Sequence, residues 1–344
     1  MKKSHLAASW AAFALVAAVP HLVQAAGKTV AADQLRLNLY ATCFVDEDEG
    51  WAVGDLGRIF HTTNGGLEWE IQHVGDNKRP FVAIACIDKK TLYAAGQVGQ
   101  IAKTTDGGAT WTMLKAMTDR QLLDISFANA TRGLVVGDYG RILRTDDGGA
   151  TWTPISVPAD AKLPPDVAEV VEPGDIVLYS VHFSDPDHAW IVGEFGVILS
   201  SSDGGLTFTS QTSPVETTLF GVHFADNQRG WAVGMEATLV STTDGGVTWV
   251  KQQVDTPKGF SLAIYDIQVN PDSNVGWAVG ANGFLLNSMD SGQTWQRAQV
   301  PVQMGSIWFR GVSILDDGRG FTVGANGVVL STNKKDYKPL KEVF

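Results

Sequence analysis

Residues 133–152 read Gly133-Leu-Val-Val-Gly-Asp-Tyr-Gly-Arg-Ile-Leu-Arg-Thr-Asp-Asp-Gly-Gly-Ala-Thr-Trp152. The stretch joins two motifs, Gly-x-x-Val-Gly-x-x-Gly and, about five residues later, Thr-x-Asp-Gly-Gly-x-Thr-Trp. Gly-x-x-Gly is typical of a tight turn between two strands, where a positive φ is needed and glycine adopts it at little cost. Asp-Gly-Gly is typical of a second turn, in which the Asp side chain accepts hydrogen bonds from backbone amides. The stretch therefore predicts three short strands connected by two turns.

Both motifs recur along the chain. Copies of the first lie at Gly50–Gly57, Tyr93–Gly99, Gly133–Gly140, Ala189–Gly196, Gly230–Ala237, Gly276–Gly283 and Gly320–Gly327. Copies of the second lie at Thr62–Trp69, Thr104–Trp111, Thr145–Trp152, Ser201–Phe208, Thr242–Trp249 and Ser288–Trp295, with a degraded copy at Ser331–Tyr337. The aromatic residues that end these copies are separated by 42, 41, 56, 41, 46 and 42 residues. Seven copies of one unit indicate a repeat array.

The repeat predicts an all-β fold, a seven-bladed β-propeller with four-stranded blades and Asp-box turns. Radial closure of such blades buries almost every long strand edge, and no segment has helical periodicity. The blades are expected at about 36–72, 80–114, 120–156, 176–211, 217–252, 262–298 and 307–344. A straight solenoid is the structural alternative, although the units lack its short coils. Tyr337–Leu340 aligns with Trp152–Ile155 and can supply the fourth strand of blade seven, with residues 27–35 as the alternative.

The N-terminus carries the pattern of an export signal. Lys2 and Lys3 precede an apolar run from Leu6 to Val19, and Val23-Gln24-Ala25 is a small-x-small cleavage site. We expect a signal peptide at 1–25 and the propeller at 26–344, in a soluble protein of the periplasm, or of the thylakoid lumen if the organism is photosynthetic. An uncleaved anchor is the alternative. The residue directly after the cleavage site is Ala26 rather than a cysteine, so a lipoprotein is not expected.

Composition excludes several function classes. The 344 residues carry a formal net charge of −11, whereas a sequence-independent nucleic-acid binder needs a basic face. Two cysteines, Cys43 and Cys86, are too few for a disulfide framework or a usual zinc or iron–sulfur site. We expect no nucleic acid, metal or other cofactor.

The Asp-box residues are predicted to be structural. A motif that is repeated six or seven times in one chain is better explained as a turn staple than as an active site or a calcium loop, whose alternating ligands are missing. The residues concerned are Asn64, Asp106, Asp147, Asp203, Asp244 and Asp290.

The tandem pattern Gly-Trp-Ala-Val-Gly-x-x-Gly-x-Ile followed by Thr-x-Asp-Gly-Gly-x-Thr-Trp resembles the Asp-box (BNR-like) propellers of the photosystem II stability and assembly factor family, over residues 36–344. The resemblance implies an exported, non-enzymatic factor whose partner is a membrane-protein client, in photosynthetic members a newly made photosystem II reaction-centre polypeptide. An accessory protein of another envelope complex, such as a transporter, is the alternative. The chain lacks the lipoprotein cysteine of cyanobacterial members.

Five arginines are predicted to share one face of the propeller. They lie in the Gly-x-x-Gly turns or in the segments that enter the inner strands of blades seven, one, two and three: Arg58, Arg79, Arg120, Arg141 and Arg310. On an acidic protein they are candidates for docking an acidic or carboxylate-bearing partner segment, and the resemblance supports this because the family has an arginine-rich face. The alternative is pairing within the turns, Asp55 with Arg58 and Asp138 with Arg141.

Inner-strand residues raise two further hypotheses. Cys43, Cys86, His182 and His223 occupy equivalent positions, together with Ser126, Gln268 and Ser313. We interpret the series as a polar position between blades rather than a metal site, and leave a Cys43–Cys86 disulfide open. The enzyme alternative is a glycosidase of the sialidase-like Asp-box type or of another propeller family. Asp124 and Asp266 would be the carboxylates of the latter only if they faced each other across the channel. The insertion at 154–174 is interpreted as a surface loop, with partner contact as the alternative.

Overall fold

The computed structural model describes residues 23–24, 29–31, 35–115, 117–256, 262–298, 300, 304–332 and 337–339. Within them the chain forms a seven-bladed β-propeller in which each blade is an antiparallel sheet. The first strand of each blade lies innermost, and the fourth lies outermost in blades three to seven. The predicted fold class is confirmed, whereas most of the predicted signal peptide lies outside the described residues.

The strands of blades one to three follow the two motifs. Blade one contains β3 (Leu39–Phe44), β4 (Gly50–Gly54), β5 (Arg58–Thr62) and β6 (Glu68–His73). Blade two contains β7 (Phe81–Cys86), β8 (Leu92–Gly96), β9 (Ile101–Thr104) and β10 (Thr110–Leu114). Blade three contains β11 (Leu122–Phe127), β12 (Gly133–Gly137), β13 (Arg141–Thr145) and β14 (Thr153–Ile155).

The remaining blades repeat the arrangement. Blade four contains β15 (Leu178–Phe183), β16 (Ala189–Gly193), β17 (Ile198–Ser201) and β18 (Thr209–Ser210), and blade five contains β19 (Leu219–Phe224), β20 (Gly230–Gly234), β21 (Leu239–Thr242) and β22 (Val250–Lys251). Blade six contains β23 (Ile264–Asn270), β24 (Val275–Gly280), β25 (Leu285–Ser288) and β26 (Gln296–Arg297), and blade seven contains β27 (Phe309–Ile314), β28 (Gly320–Gly324), β29 (Val329–Thr332) and β30 (Tyr337–Pro339).

Two short N-terminal strands extend the first two blades to five strands. β1 (Val23–Gln24) pairs with β10 at the outer edge of blade two, and β2 (Thr29–Ala31) pairs with β6 at the outer edge of blade one. Blade seven is completed by its own strand β30, which pairs with β29. The alternative in which residues 27–35 join blade seven is therefore wrong for Thr29–Ala31, because their backbone hydrogen bonds are made to blade one.

The insertion after β14 carries the only α-helix of the described residues, α1 (Pro165–Ala168), and a 3₁₀ turn at Pro173–Asp175. Ala161 and Leu163 pack into the hydrophobic core between blades three and four, and the Lys162 amide donates to Ser210 Oγ at 2.9 Å. The insertion is thus a packed surface segment.

Buried tryptophans connect neighbouring blades. Trp190 donates through Nε1 to Gly245 O in blade five, and Trp231 donates to Gly292 O in blade six. Both acceptors lie in Asp-box turns, so the Trp of one motif anchors the turn of the next blade. The buried indole area stabilises the junctions through the hydrophobic effect.

Inner-strand residues join successive blades, but the predicted equivalence of Cys43 and Cys86 is wrong. Cys43 pairs with Trp51 as Ala85 pairs with Tyr93, so Cys86 lies one residue further along its strand, at the position of Phe44. Cys43 and Cys86 form a disulfide between blades one and two, with Cα atoms 6.2 Å apart. His182 and His223 bond through Nε2 to Phe224 O and Val269 O of the following blades. Corresponding bonds from the next blade reach the remaining members of the series, Ser126, Gln268 and Ser313. Side chains of the inner strands thus link neighbouring blades around the channel.

Candidate docking face

Strand direction places two sets of connections on opposite faces of the propeller. The face carrying the turns between the second and third strands, and the segments that enter the inner strands, is called here the upper face. The Asp-box turns form the lower face. Because all seven blades run in the same sense, each residue of the arginine series (Arg58, Arg79, Arg120, Arg141 and Arg310) maps to the upper face by its place in the motif.

The structure distributes the arginine series over this face rather than gathering it into one pocket. Arg79, Arg120 and Arg310 are exposed, and Arg58 and Arg141 are half-buried. Arg310 lies at the mouth of the channel, between the rings of Tyr40 and Tyr265 at 5.9 and 5.6 Å. The other four lie over blades one to three.

Within the described part of the chain, none of the five arginines forms an ion pair. Asp55 accepts instead from the Tyr40 hydroxyl at 2.8 Å and from the Asn38 amide at 3.2 Å. The proposed pairing of Asp55 with Arg58 is therefore wrong. Arg120 stacks on Tyr139 at 4.2 Å, and its charge opposes the rise that burial causes in the pKa of Asp138.

Arg141 also departs from the in-turn alternative. Its Nε is buried and has no hydrogen-bond partner among the described residues, and no ion pair joins it to Asp138 in that part of the chain. The guanidinium groups of this face are thus not neutralised by the carboxylates of their own turns.

The channel mouth is ringed by equivalent residues of the seven inner strands. Four of them are aromatic, Tyr40, Tyr179, Phe220 and Tyr265, and Arg310 is the fifth large member. The Phe220 ring contacts those of Tyr179 and Tyr265 at centroid distances of 4.9 and 5.6 Å. They line a cavity of about 90 Å³, which is large enough for one small side chain or a few waters.

Asp124 and Asp266 line this cavity and a second one of about 220 Å³ in the channel. Asp124 accepts from Ser180 Oγ at 2.8 Å and from the Val181 amide at 2.9 Å in the next blade, and Asp266 accepts from the Val312 amide at 2.9 Å. Burial raises the pKa of Asp124 to about 6 and that of Asp266 to about 7. Both carboxyls do line the channel, and both tie one blade to the next.

The two inner-strand histidines are neutral partners of the backbone. Because a carbonyl oxygen only accepts, each ring donates its Nε2–H. The centroids of the two imidazole rings are 4.6 Å apart. Burial lowers the pKa of His182 to about 4 and that of His223 to about 3. Among the residues described, no group of three or more His, Cys, Asp or Glu side chains is arranged to hold a metal ion.

The seven upper-face turns between the second and third strands have one geometry and differ in sequence. In blade one, Leu56 and Gly57 have φ of 60° and 66°, and the Arg58 amide donates to Asp55 O. Two successive positive φ values define a type I′ hairpin turn, for which Asn-Gly is the preferred pair. Blades six and seven have Asn282-Gly283 and Asn326-Gly327.

Blades one to four place large apolar residues where blades six and seven place asparagine. These are Leu56, Val98, Tyr139 and Phe195, all with φ between 55° and 60°. A left-handed conformation costs an L-residue about 1–2 kcal/mol, and asparagine relieves part of this by local hydrogen bonding. Leu56, Val98 and Tyr139 are nevertheless exposed by 49%, 50% and 53%, so burial does not offset the strain.

The lower face contains the Asp-box turns. Asp147 accepts from the Thr145 hydroxyl at 2.8 Å, the Thr151 amide at 2.9 Å and the Thr151 hydroxyl at 2.6 Å. The Thr151 hydroxyl, together with the Thr151 amide, lowers the pKa of Asp147 to about 2. The same side-chain bonds recur at Asp106, Asp203, Asp244 and Asp290, whereas Asn64 bonds to Glu68 in place of a threonine.

A family model matches most of this arrangement in sequence. The model, described as photosynthesis system II assembly factor YCF48, matches residues 23–117, 109–171, 208–304 and 258–333. The chain belongs to the YCF48 family. No curated protein matches the sequence.

Solved structures share the fold of this YCF48-family chain. "YCF48 bound to D1 peptide" is 19% identical with a TM-score of 0.67, covering 89% of this chain and 94% of that one. YCF48 from Cyanidioschyzon merolae is 20% identical with a TM-score of 0.66, covering 90% and 98%. A GH74 xyloglucanase from Xanthomonas campestris is 13% identical with a TM-score of 0.68, covering 90% of this chain and 54% of that one. At such identities the likeness shows the fold alone.

Reasoning from the sequence missed two parts of the upper face. The aromatic ring of the channel mouth occupies the second residue of each inner strand, which aligning the strands would have shown. The apolar turn residues lie in the middle of Gly-x-x-Gly, at positions that the motif leaves unspecified. Among the described residues, no helix is long and apolar enough to cross a membrane.

Proposed function

We propose that this YCF48-family protein is an exported, non-enzymatic assembly factor that holds an acidic segment of a membrane-protein client on its upper face. The observation that carries the proposal is the arginine series, which makes no ion pair within the described residues of a chain with net charge −11. An unneutralised guanidinium presents a planar fork of donors that matches a carboxylate.

The distribution of these arginines suits a segment of chain better than a small molecule. Arg58, Arg79, Arg120 and Arg141 span three successive blades, and Arg310 lies at the channel mouth, so one compact ligand would not reach all of them. An extended polypeptide with several carboxylates would, and charge complementarity would speed its encounter with the face. A photosystem II reaction-centre polypeptide is the client that fits the family, since one structural neighbour is YCF48 with a D1 peptide.

Catalysis is disfavoured by what the channel carboxyls do. In a glycosidase, two carboxyls flank the scissile bond and are free to transfer protons. Asp124 and Asp266 instead accept backbone amides of the neighbouring blades. Because one structural neighbour is a GH74 xyloglucanase, glycosidase activity is to be tested by hydrolysis of a panel of xyloglucan and sialosides.

The decisive experiment is a cross-linking pull-down of the protein from native membranes, followed by mass spectrometry. We expect recovery of a membrane protein, with photosystem II reaction-centre precursors as the family expectation. Recovery of a transporter or another envelope complex instead would make the protein an accessory factor of that complex. Recovery of no membrane protein, together with glycan hydrolysis, would refute the assignment.

Charge reversal then tests the surface. The double variant Arg58→Glu with Arg141→Glu should lose client recovery because it removes two guanidiniums and adds two repelling carboxylates. The control variant Lys90→Glu with Lys251→Glu changes the net charge equally at two exposed lysines that lie outside the upper-face turns. Equal recovery with both variants, each with wild-type circular dichroism, would sink the docking role of the arginines.

A further inference from the structure

We propose that Leu56, Val98 and Tyr139, named here the apolar crest, dock apolar side chains of the same client segment whose carboxylates meet the arginines. This inference rests on the proposed function and deepens it. It predicts that the client segment combines acidic with large apolar residues, rather than being acidic alone.

The backbone gives the first argument. All three crest residues occupy the first left-handed position of a type I′ turn, with φ of 60°, 56° and 55°. The same turn is made in blades six and seven by Asn282 and Asn326, the residue type that this conformation favours. The turns of blades six and seven are therefore the relaxed form with which the turns of blades one to three can be compared. Valine, which is β-branched, is a genuine outlier at such a φ, and strain of this kind concentrates at functional sites.

Exposure gives the second argument. The crest residues are about half exposed, whereas Phe195, in the equivalent position of blade four, packs against the core between blades three and four. Packing therefore accounts for the apolar residue in blade four but not in blades one to three. Exposed large apolar side chains grouped on one face mark interaction sites.

The neighbours of the crest give the third argument. Gly57, next to Leu56, packs against Asn77 in the segment that carries Arg79. Gly99, next to Val98, packs in the same way against Thr118 in the segment that carries Arg120. The turns of Leu56 and Val98 thus each lie against a segment that carries an arginine.

In blade three the pairing is direct, because the Arg120 guanidinium stacks on the Tyr139 ring at 4.2 Å. Apolar and cationic side chains alternate over three successive blades, and blades five to seven show no such alternation, with Glu236, Asn282 and Asn326 at the crest position.

The occupant that fits this pattern is an extended peptide segment with alternating apolar and acidic residues. An anionic bilayer would also attract arginines. However, Asp55 and Asp138 lie in the turns of Leu56 and Tyr139 and repel a plane of negative charge. A segment can thread between these carboxylates, whereas a bilayer surface cannot.

The test is the double variant Leu56→Asn with Val98→Asn. Since asparagine tolerates the left-handed turn, the thermal midpoint should rise by about 1–2 °C rather than fall. Removal of two anchors should weaken binding of a synthetic D1 peptide, and cross-linking of the native client, by about tenfold or more. The matched control is Val247→Asn, since Val247 is 78% exposed in a lower-face Asp-box turn.

A photo-reactive amino acid at position 98, with position 247 as the control, maps the contact. Cross-links from position 98 to an identified membrane protein, in a peptide bearing acidic and apolar residues, would support the crest. Undiminished capture by the double variant would refute docking on the apolar crest and would leave docking by the arginines unaffected. If the wild-type protein captures no membrane protein, the proposed function is refuted. If position 98 cross-links only to phosphatidylglycerol vesicles, the crest binds a membrane surface and the peptide proposal is refuted.

Discussion

Removal of the Cys43–Cys86 disulfide should destabilise the propeller measurably without changing its fold. The bond joins residues 43 apart in sequence and bridges the innermost strands of blades one and two. In the chain-entropy model a closed loop of this length stabilises the folded state by about 4 kcal/mol at 25 °C. Because unfolding entropy scales with chain length, this corresponds to a thermal midpoint lower by about 6 °C.

The perturbation is Cys43→Ala with Cys86→Ala, and the assay is thermal and urea unfolding followed by tryptophan fluorescence. Alanine adds no polar group, and the neighbouring side chains Ala41 and Ile84 are apolar, so the change reports mainly the lost link. A reductant should lower the midpoint of the wild-type protein by a similar amount and leave the double variant unaffected. A variant that unfolds within a degree of the wild type would refute the reasoning, as would equal sensitivity of both proteins to reductant.

Three further changes test other parts of the structure. Asp147→Ala should destabilise the chain by about 1–2 kcal/mol through lost turn hydrogen bonds, measured by urea unfolding against Asp160→Ala at an exposed position. Gly99→Ala should lower the thermal midpoint by several degrees, since a Cβ would strike Thr118 O at a φ of 67°; an unchanged midpoint would contradict the turn geometry. Burial raises the pKa of Asp266 to about 7, so its protonated form contributes stability that is complete below about pH 4 and lost as the pH rises through 7. Asp266→Asn should therefore flatten the fall in thermal midpoint between about pH 5 and pH 8, unlike the exposed control Asp272→Asn.

The repeat made most of the fold predictable because each unit encodes its own turns. Gly-x-x-Gly and Asp-Gly-Gly need particular backbone angles and side-chain acceptors, which few sequences supply, so their spacing locates three of the four strands of each blade. The added strands could not be found this way. Thr29–Ala31 pairs with β6, and an edge strand of three residues leaves no periodicity to detect.

The site was predictable in position but not in its pairing. Topology alone places Arg58 and Arg141 on the upper face. Whether Asp55 would neutralise Arg58 depended on a competitor that is distant in sequence, the Tyr40 hydroxyl. The disulfide likewise required the distance between inner strands of adjacent blades, 6.2 Å between Cα atoms, which no spacing reveals.

Seven versions of one turn in a single chain allow function to be separated from folding. Where copies agree, as in the threonine or serine hydroxyl and the Asp or Asn of the six intact Asp-box turns, the shared residue is explained by hydrogen bonds internal to each blade. Where the copies diverge while the backbone stays the same, folding is not what selects the residue. The left-handed position holds asparagine in blades six and seven and strained, exposed Leu56 and Val98 in blades one and two. Leu56 and Val98 lie at positions where asparagine would relax the turn, and they are therefore the residues most informative about the client.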